Sequence, residues 1–535
     1  MRREIKELVG AAALLALAYL PVALAQPHCR ASIGVFLGLH LALILIPAAC
    51  LGRAFLPDTP LLPALFVGIV PATSLLIICG IIQFRFHVPH FALLAPVLAV
   101  STLAWFRRGP PRELASIPLL AICAILVGVV VLLQTVALTV PASLPSQGVP
   151  GLFYQDSLWT VGNTVSLERW GLPLRDIRFE GLHLSYHLAQ NVYQAVMSTY
   201  GGLEPFDIHF YLEPTIGRAS LAVLCVFLPR IFFGASTKSS VLLAVLVLFT
   251  CGWTGPGHFD LYANPLSYAF GLPAFLVFHG VLFRRETLRV RGAPLLAALA
   301  FALALASKGN LLLLVPAGLA PWLLRPMLRW QWPRRELIWI AVGVAIAGGL
   351  ILLTLFRAPP EGSERVVVFP LNHNSIVYRL LVDRLHLGLV GLVLFAGYQF
   401  AFFFIVALRF VLGGPAPVAI LLLLLVRQNR KVLLSTPMWS YVAAFTSAAL
   451  AAISIADFIG GYTYFLLYPQ VLCALWLAAR FDELAPSRLR AVIVGVPLAM
   501  AIYMFGATGL AWHRGWSQFP TPERTVWDPQ VTYDA

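Results

Sequence analysis

Long apolar runs recur along this chain and leave it one class of fold. Each run extends for about 15–25 residues, close to the length of an α-helix that crosses a lipid bilayer. Residues 61–82 and 116–140 form two of these runs. Hydrophobic residues make up 60% of the sequence and charged residues 11%, and the mean hydropathy is +0.85. Because a soluble core cannot enclose that much apolar surface, the sequence predicts an all-α polytopic integral membrane protein.

The apolar runs predict about 14 or 15 transmembrane helices, counted by the length that a bilayer requires. They cover roughly residues 1–25, 31–51, 61–82, 90–106, 116–140, 216–233, 239–252, 264–283, 337–356, 388–411, 433–455, 461–479 and 489–511, with two short spans flanking residues 307–310. The run Val418–Val426 is too short to cross and is predicted to lie along the cytoplasmic face.

Basic residues collect in the loops that this topology places on one side of the membrane. The formal net charge is +14, and Lys and Arg concentrate in Arg107–Arg112, Arg284–Arg291, Arg325–Arg335 and Arg427–Lys431. Cytoplasmic loops carry such an excess, so the net charge indicates membrane orientation rather than a nucleic-acid partner. We predict a multi-pass protein of the plasma (inner) membrane with a cytoplasmic N-terminus.

This topology divides the chain into alternating membrane and external parts. They are residues 1–140 (N-terminal transmembrane helices), 141–215 (external loop with juxtamembrane helices), 216–356 (central transmembrane helices), 357–387 (second external loop), 388–512 (C-terminal transmembrane helices) and 513–535 (external tail). The basic start Met1–Lys6 and the apolar run to Ala25 favour an uncleaved first span over a signal peptide.

Several motif classes are missing from the sequence. The seven cysteines are scattered singly, so their spacing indicates neither a disulfide framework nor a zinc site. No glycine-rich phosphate loop occurs, and no polar segment is long enough for a soluble nucleotide-binding domain.

The first external loop carries the densest group of polar residues that suit chemistry. Asp156 and Ser157 predict the cap of a helix that runs to Trp170 and stops at Gly171, lying at the membrane surface. A second helix is predicted over about His183–Tyr200. It would place His183 and His187 on one face at i, i+4 spacing, which suits a metal ion or a lipid phosphate; plain polar surface is the alternative.

The same loop resembles a known family in its order of features. An Asp soon after a span, the segment Glu168–Pro173 and the segment Leu184–Leu188 opening a helix are similar to the first external loop of GT-C-fold glycosyltransferases, over about residues 140–315. These polytopic enzymes use polyprenyl-phosphate-linked sugars. The resemblance implies a GT-C-like fold and makes Asp156 a general base or metal ligand. With Asp156 brought near the histidine face of the second helix, Asp156 and His187 could hold a divalent ion such as Mg²⁺ or Mn²⁺. Gln155 stands where the family often carries a second acid.

Further candidates lie beyond the first loop. By analogy with a second acidic motif in the family, Asp260 and His258 are the next choice, with a short polar turn as the alternative. Lys308 sits between two short spans and is a candidate phosphate partner, or a lysine that extends to the interface. In the loop 357–387, Arg365 and His373 are candidates for contact with diphosphate or lipid headgroups, and a plain surface helix is the alternative.

These features predict a cell-envelope glycosyltransferase with an extracytoplasmic active site. Its partners would be a polyprenyl-phosphate-linked sugar donor, membrane lipids and a glycan, lipid or protein acceptor, and no nucleic acid. One alternative is a transporter or flippase for a lipid-linked or polar solute. Another is an O-antigen-type polymerase or ligase that uses the loop 357–387.

Overall fold

The described part of the chain is built almost wholly from helices. The computed structural model describes residues 2–25, 29–88, 91–106, 117–142, 155–175, 188–249, 253–255, 258–259, 265–355, 379–412, 415–455 and 463–484, together with residues 495, 499, 502 and 503. One short antiparallel pair of strands, in which Trp253 pairs with Phe259, interrupts the helices.

The helices follow the apolar runs closely. In the first half they are α1 (Arg2–Ala18), α2 (Leu20–Ala25), α3 (Arg30–Phe55), α4 (Leu61–Phe86), α5 (Phe91–Phe106), α6 (Ile117–Ala142), α7 (Gln155–Trp170), α8 (Ala189–Gly201), α9 (Pro205–Phe233) and α10 (Thr237–Phe249). After the strands β1 (Trp253–Gly255) and β2 (His258–Phe259) come α11 (Pro265–Phe283), α12 (Ala293–Ser307), α13 (Leu311–Met327), α14 (Arg335–Leu355), α15 (Gly388–Leu412), α16 (Pro415–Leu425), α17 (Arg427–Leu433), α18 (Thr436–Ile455) and α19 (Thr463–Arg480).

The predicted class, an α-helical membrane protein, is confirmed. Within the described residues, four helices are long and apolar enough to cross a membrane, namely α3, α4, α9 and α14, and eight shorter apolar helices accompany them. The total of 14 or 15 spans stays a prediction, as does the side of the membrane that each loop occupies.

Helix α9 lies at the centre of the bundle. Its apolar window is 94% buried, and it packs against α1, α4, α6, α10, α11 and α19. By contrast, the window of α14 is only 17% buried, so most of that helix is exposed on the outside of the described bundle. Side chains on α9 are therefore held by protein on nearly every side.

Two helices of the first external loop begin at different points from those that the sequence predicts. Leu188 is not helical and α8 begins at Ala189, so the helix does not run continuously from His183. Helix α9 begins at Pro205, eleven residues before the predicted start of the span near residue 216. Proline is favoured in the first turn of a helix, since its missing N–H is not needed there. The polar residues up to Glu213 therefore belong to the same continuous helix as the apolar run that follows them.

Helix α7 ends as predicted, at Gly171, and the same glycine ties it to α4. Gly171 has φ +70°, a left-handed conformation that glycine adopts without strain. The Leu172 N–H donates to the Phe84 carbonyl oxygen at 3.0 Å. A Cβ at position 171 would overlap that carbonyl and approach His87 Cε1 to 2.8 Å. The turn after α7 is therefore packed backbone to backbone on the end of α4.

We expect Gly171→Ala to lower the free energy of unfolding by about 2 kcal/mol or more, because left-handed strain and the overlap with Phe84 add together. Gly202 provides the matched control, since it has φ +58° and open space around its Cβ position. Gly202→Ala should cost only about 1 kcal/mol from the backbone strain. Thermal unfolding in one detergent measures both, and equal losses would contradict the proposed packing.

Candidate functional site

A cluster of buried polar side chains joins the first external loop to the central span. We call it the polar cluster, and its members are Thr164 of α7, Gln190, Asn191 and Gln194 of α8, and His209 and Glu213 of α9. Gln194, His209 and Glu213 are fully buried, with no solvent-exposed side-chain surface. Buried polar groups are costly unless they are hydrogen-bonded, so their partners decide what the cluster can do.

Helices α7 and α8 are joined through amide and hydroxyl groups. Thr164 Oγ1 donates to Gln194 Oε1 at 2.8 Å and accepts from Asn191 Nδ2 at 3.0 Å. Asn191 Nδ2 also donates to the Thr160 carbonyl oxygen at 2.8 Å. These bonds satisfy polar groups that face away from water, and they fix the position of α7 on α8.

The carboxylate of Glu213 accepts hydrogen bonds from two side chains of α8. Gln190 Nε2 donates to Glu213 Oε2 at 3.1 Å, and Gln194 Nε2 donates to the same oxygen. Gln194 Nε2 also lies 3.1 Å from His209 Nδ1, which can accept its second proton. An unbroken chain of hydrogen bonds thus runs from Thr164 to the central span.

Two polar atoms of the cluster have no hydrogen-bond partner among the described residues. They are Glu213 Oε1 and His209 Nε2, both buried. With Nδ1 accepting from Gln194, the neutral imidazole carries its proton on Nε2, so the cluster keeps one donor on His209 and one acceptor oxygen on Glu213 without partners among the described residues. The turn Ile208–Leu212 contains His209 and ends just before Glu213, and it is π-helical, a geometry found frequently at functional sites.

An aromatic layer connects the polar cluster to the predicted Lys308 turn. The Tyr193 hydroxyl lies 3.1 Å from His40 Nδ1, and its ring packs on Phe270 with centroids 4.9 Å apart. A Cβ on the neighbouring Gly271 would lie 3.3 Å from Ser307 Cβ. Lys308 follows as a half-exposed residue in the turn between α12 and α13. The turn therefore lies at the same end of the bundle as α8.

The predicted site residues are described to different extents. Asp156 lies in the first turn of α7 rather than just before it, and its side chain is outside the described residues. His258 is described only through the backbone of β2. The remaining predicted residues lie outside the described part of the chain; they are His183, His187, Asp260, Arg365 and His373. Their roles stay predictions.

A divalent metal ion is not supported by the side chains that are described. Among them, no group of three or more His, Cys, Asp or Glu side chains comes close enough to hold one. The polar cluster offers one carboxylate, one imidazole and several amides, a donor set that does not fit Mg²⁺ or Mn²⁺, whose ligands are mainly carboxylates and water. The predicted ligands Asp156 and His187 stay untested.

Glu168, near the end of α7, is a partly buried acid beside the cluster. Burial raises the pKa of its carboxyl above the ordinary value, and the Glu204 carboxylate raises it further. A hydrogen bond from Ser198 and the charge of Arg169 both lower it. The folded protein therefore binds this proton more tightly than the unfolded chain does.

We expect the free energy of unfolding to fall as pH rises above about 4.5, because the unfolded chain releases the Glu168 proton before the folded protein does. Glu168→Gln should remove this fall, so that the variant is more stable than wild type at neutral pH and equal to it in acid. Thermal unfolding across pH measures the difference. The control Glu286→Gln removes an exposed glutamate whose surface ion pair with Arg334 contributes little, and it should keep the wild-type slope. A slope unchanged in Glu168→Gln would contradict the assignment.

Sequence reasoning missed Glu213 and His209 because it placed both in a loop. The signal that would have found them is Pro205, a helix-start residue followed by no helix breaker until Pro214. A helix started at Pro205 puts His209 and Glu213 four residues apart on one face of a helix that is long and apolar enough to cross a membrane. Ionisable residues buried on such a helix are expensive and often functional.

No protein-family model matches the chain, and searches of curated proteins and of solved structures found no significant similarity.

Proposed function

We propose that the chain is an integral membrane glycosyltransferase that moves a sugar from a polyprenyl-phosphate-linked donor to an acceptor hydroxyl on the extracytoplasmic face. The supporting observation is the fixed support of α7, whose first turn carries Asp156. Thr164 ties this helix to Gln194 and Glu213 of the bundle core, and Gly171 ties its far end to α4. A catalytic side chain must be held in a fixed position to act on a reacting atom.

In the proposed reaction, the Asp156 carboxylate takes the proton of the acceptor hydroxyl. The acceptor oxygen forms a bond to the anomeric carbon as the bond from that carbon to the phosphate oxygen breaks. Polyprenyl phosphate leaves with the electron pair, and Lys308 balances the charge on its phosphate. Helix α7 and the Lys308 turn both adjoin α8, because α7 packs on α8 and α8 packs against α11 and α12.

The finer features of the proposal come from the sequence. They are a GT-C-like fold with 14 or 15 spans, a location in the plasma membrane, and substrate contacts from His183, His187, His258, Arg365 and His373. Asp260 is the second catalytic candidate. A divalent ion at Asp156 and His187 is a separate proposal, tested by adding a chelator.

The test is transfer by the full chain in nanodiscs, with polyprenyl-phosphate hexoses and pentoses as donors and loss of the donor lipid as the readout. Turnover above that of empty nanodiscs would support the proposal. A chain that consumes none of the donors, while remaining folded by thermal unfolding, would contradict it.

A second function, transport of a polar solute coupled to protons, is favoured by one observation. Glu213 and His209 are buried on a helix that is long and apolar enough to cross a membrane, and each keeps one polar atom without a partner among the described residues. Such groups can hold and release protons along a pathway. Proteoliposomes with an imposed proton gradient would show gradient-dependent solute uptake under this function, and none under the glycosyltransferase proposal.

A further inference from the structure

A large cavity lies at the end of the bundle opposite the polar cluster. Helix α9 runs from Glu213 in the cluster to Phe233 at the cavity wall, about 30 Å at 1.5 Å per residue. The cavity has a volume of about 1180 Å³. Its walls come from segments far apart in the sequence, near residues 284–290, 325–337, 431–437 and 479–483.

The walls of this basic cavity carry many more cations than anions. Eight basic and three acidic side chains line it. The acids are all engaged, since Glu336 pairs with Arg284, Glu286 pairs with Arg334, and Glu483 pairs with both Arg285 and Arg480. The ion pairs therefore leave an excess of positive charge facing the cavity.

The excess charge belongs to residues without acidic partners. Arg289, Arg329 and Lys431 form no ion pair within the described part of the chain, and Arg325 bonds only to the Thr436 hydroxyl, at 3.2 Å. Like charges held around one concave surface repel each other and raise the potential within it. A bound anion would relieve that repulsion.

Two buried polar atoms of the wall also have no partner among the described residues. They are Ser435 Oγ and Arg480 Nε, and both residues line the cavity. Trp332 stands 86% exposed at the rim, where tryptophan is favoured at a membrane interface. Charged basic loops alone would explain the net charge, but they do not account for two buried polar atoms that have no partner among the described residues.

We propose that the basic cavity binds a ligand that carries phosphate groups. Arginine binds phosphate through paired N–H donors, and lysine binds it as a point charge, so the wall suits a diphosphate or an anionic lipid headgroup. The volume exceeds that of most small-molecule sites, which leaves room for the rest of the ligand. The proposal is independent of the glycosyltransferase function, because the polar cluster lies at the other end of the bundle.

The experiment uses the full chain in nanodiscs of phosphatidylcholine, with inorganic diphosphate binding measured by calorimetry. A second arm exchanges the lipid for one that contains phosphatidylglycerol and counts the lipids retained by native mass spectrometry. Diphosphate binding would identify a soluble phosphate ligand, whereas retention of phosphatidylglycerol alone would identify a lipid headgroup. Both outcomes support the site, and binding in neither arm would overturn it.

The variant Arg329→Gln with Lys431→Gln removes two unpaired cations and breaks no ion pair, so we expect at least about 10-fold weaker binding. Its matched control is Arg335→Gln with Arg427→Gln, two exposed residues next to the cavity that do not line it. The control should bind within about 2-fold of wild type, since surface charges contribute little. Equal losses of binding in the two double variants would show that general surface charge, rather than the cavity, holds the ligand, and this result would overturn the proposal. Thermal unfolding confirms that each variant folds.

Discussion

Asp156→Asn is expected to lower the rate of sugar transfer at least about 100-fold, the contribution typical of a general base. Asparagine has nearly the same size and shape as aspartate, so α7 should keep its fold in the variant. Asparagine cannot take the proton from the acceptor hydroxyl. The measurement is single-turnover transfer in nanodiscs under saturating donor, so that a change in donor affinity does not enter the rate.

The control for Asp156→Asn is Glu168→Gln, which removes a carboxylate from the other end of the same helix. Glu168 lies close to Trp170 where α7 ends, about 18 Å from the first turn, so its neutralisation should leave the transfer rate within about 2-fold of wild type. Equal rates for Asp156→Asn and wild type would remove Asp156 as the base. The same assay would then move to Asp260→Asn.

The apolar runs predicted most helices because few structures other than apolar helices can cross a bilayer. The predicted spans at 61–82 and 388–411 correspond to α4 and α15, and the glycine stop signal placed the end of α7 at the correct residue. The predicted helix boundaries were wrong where polar residues lie inside a helix. Glu213 looked like a loop residue because its burial depends on amides of α8, which no local pattern reveals.

The basic cavity could not be predicted from the sequence, for a related reason. The sequence gathered Arg284–Arg291 and Arg325–Arg335 on one side of the membrane as separate loops. Only packing of the helix ends places them around one concave surface and shows which cations the three glutamates leave unpaired. The reverse holds for the candidate catalytic residues. The sequence pointed to Asp260 and His187, but both lie outside the residues that the structure describes.

Glu213→Leu is expected to lower the free energy of unfolding by about 2–4 kcal/mol, because it leaves one N–H of Gln190 and one N–H of Gln194 buried without an acceptor. Glu213→Gln keeps an acceptor oxygen in place and should change stability by less than about 1 kcal/mol. A double-mutant cycle of Glu213→Leu with Gln190→Leu checks the cause. Removing the stranded donor should recover about 1 kcal/mol, and purely additive losses would contradict the hydrogen-bond account.

Because Glu213→Gln is expected to preserve the fold, the same variant separates the two proposed functions. In a glycosyltransferase, Glu213 only positions α7 through Gln194 and Thr164, so Glu213→Gln should keep transfer within about 3-fold of wild type while Glu213→Leu loses more, in step with its weaker packing. In a proton-coupled transporter, the carboxyl itself must bind and release the proton, so glutamine should abolish gradient-driven uptake. If Glu213→Gln keeps sugar transfer, the polar cluster has a structural role that holds α7 in place. If Glu213→Gln stays folded but loses solute uptake, the polar cluster carries the proton of a transporter.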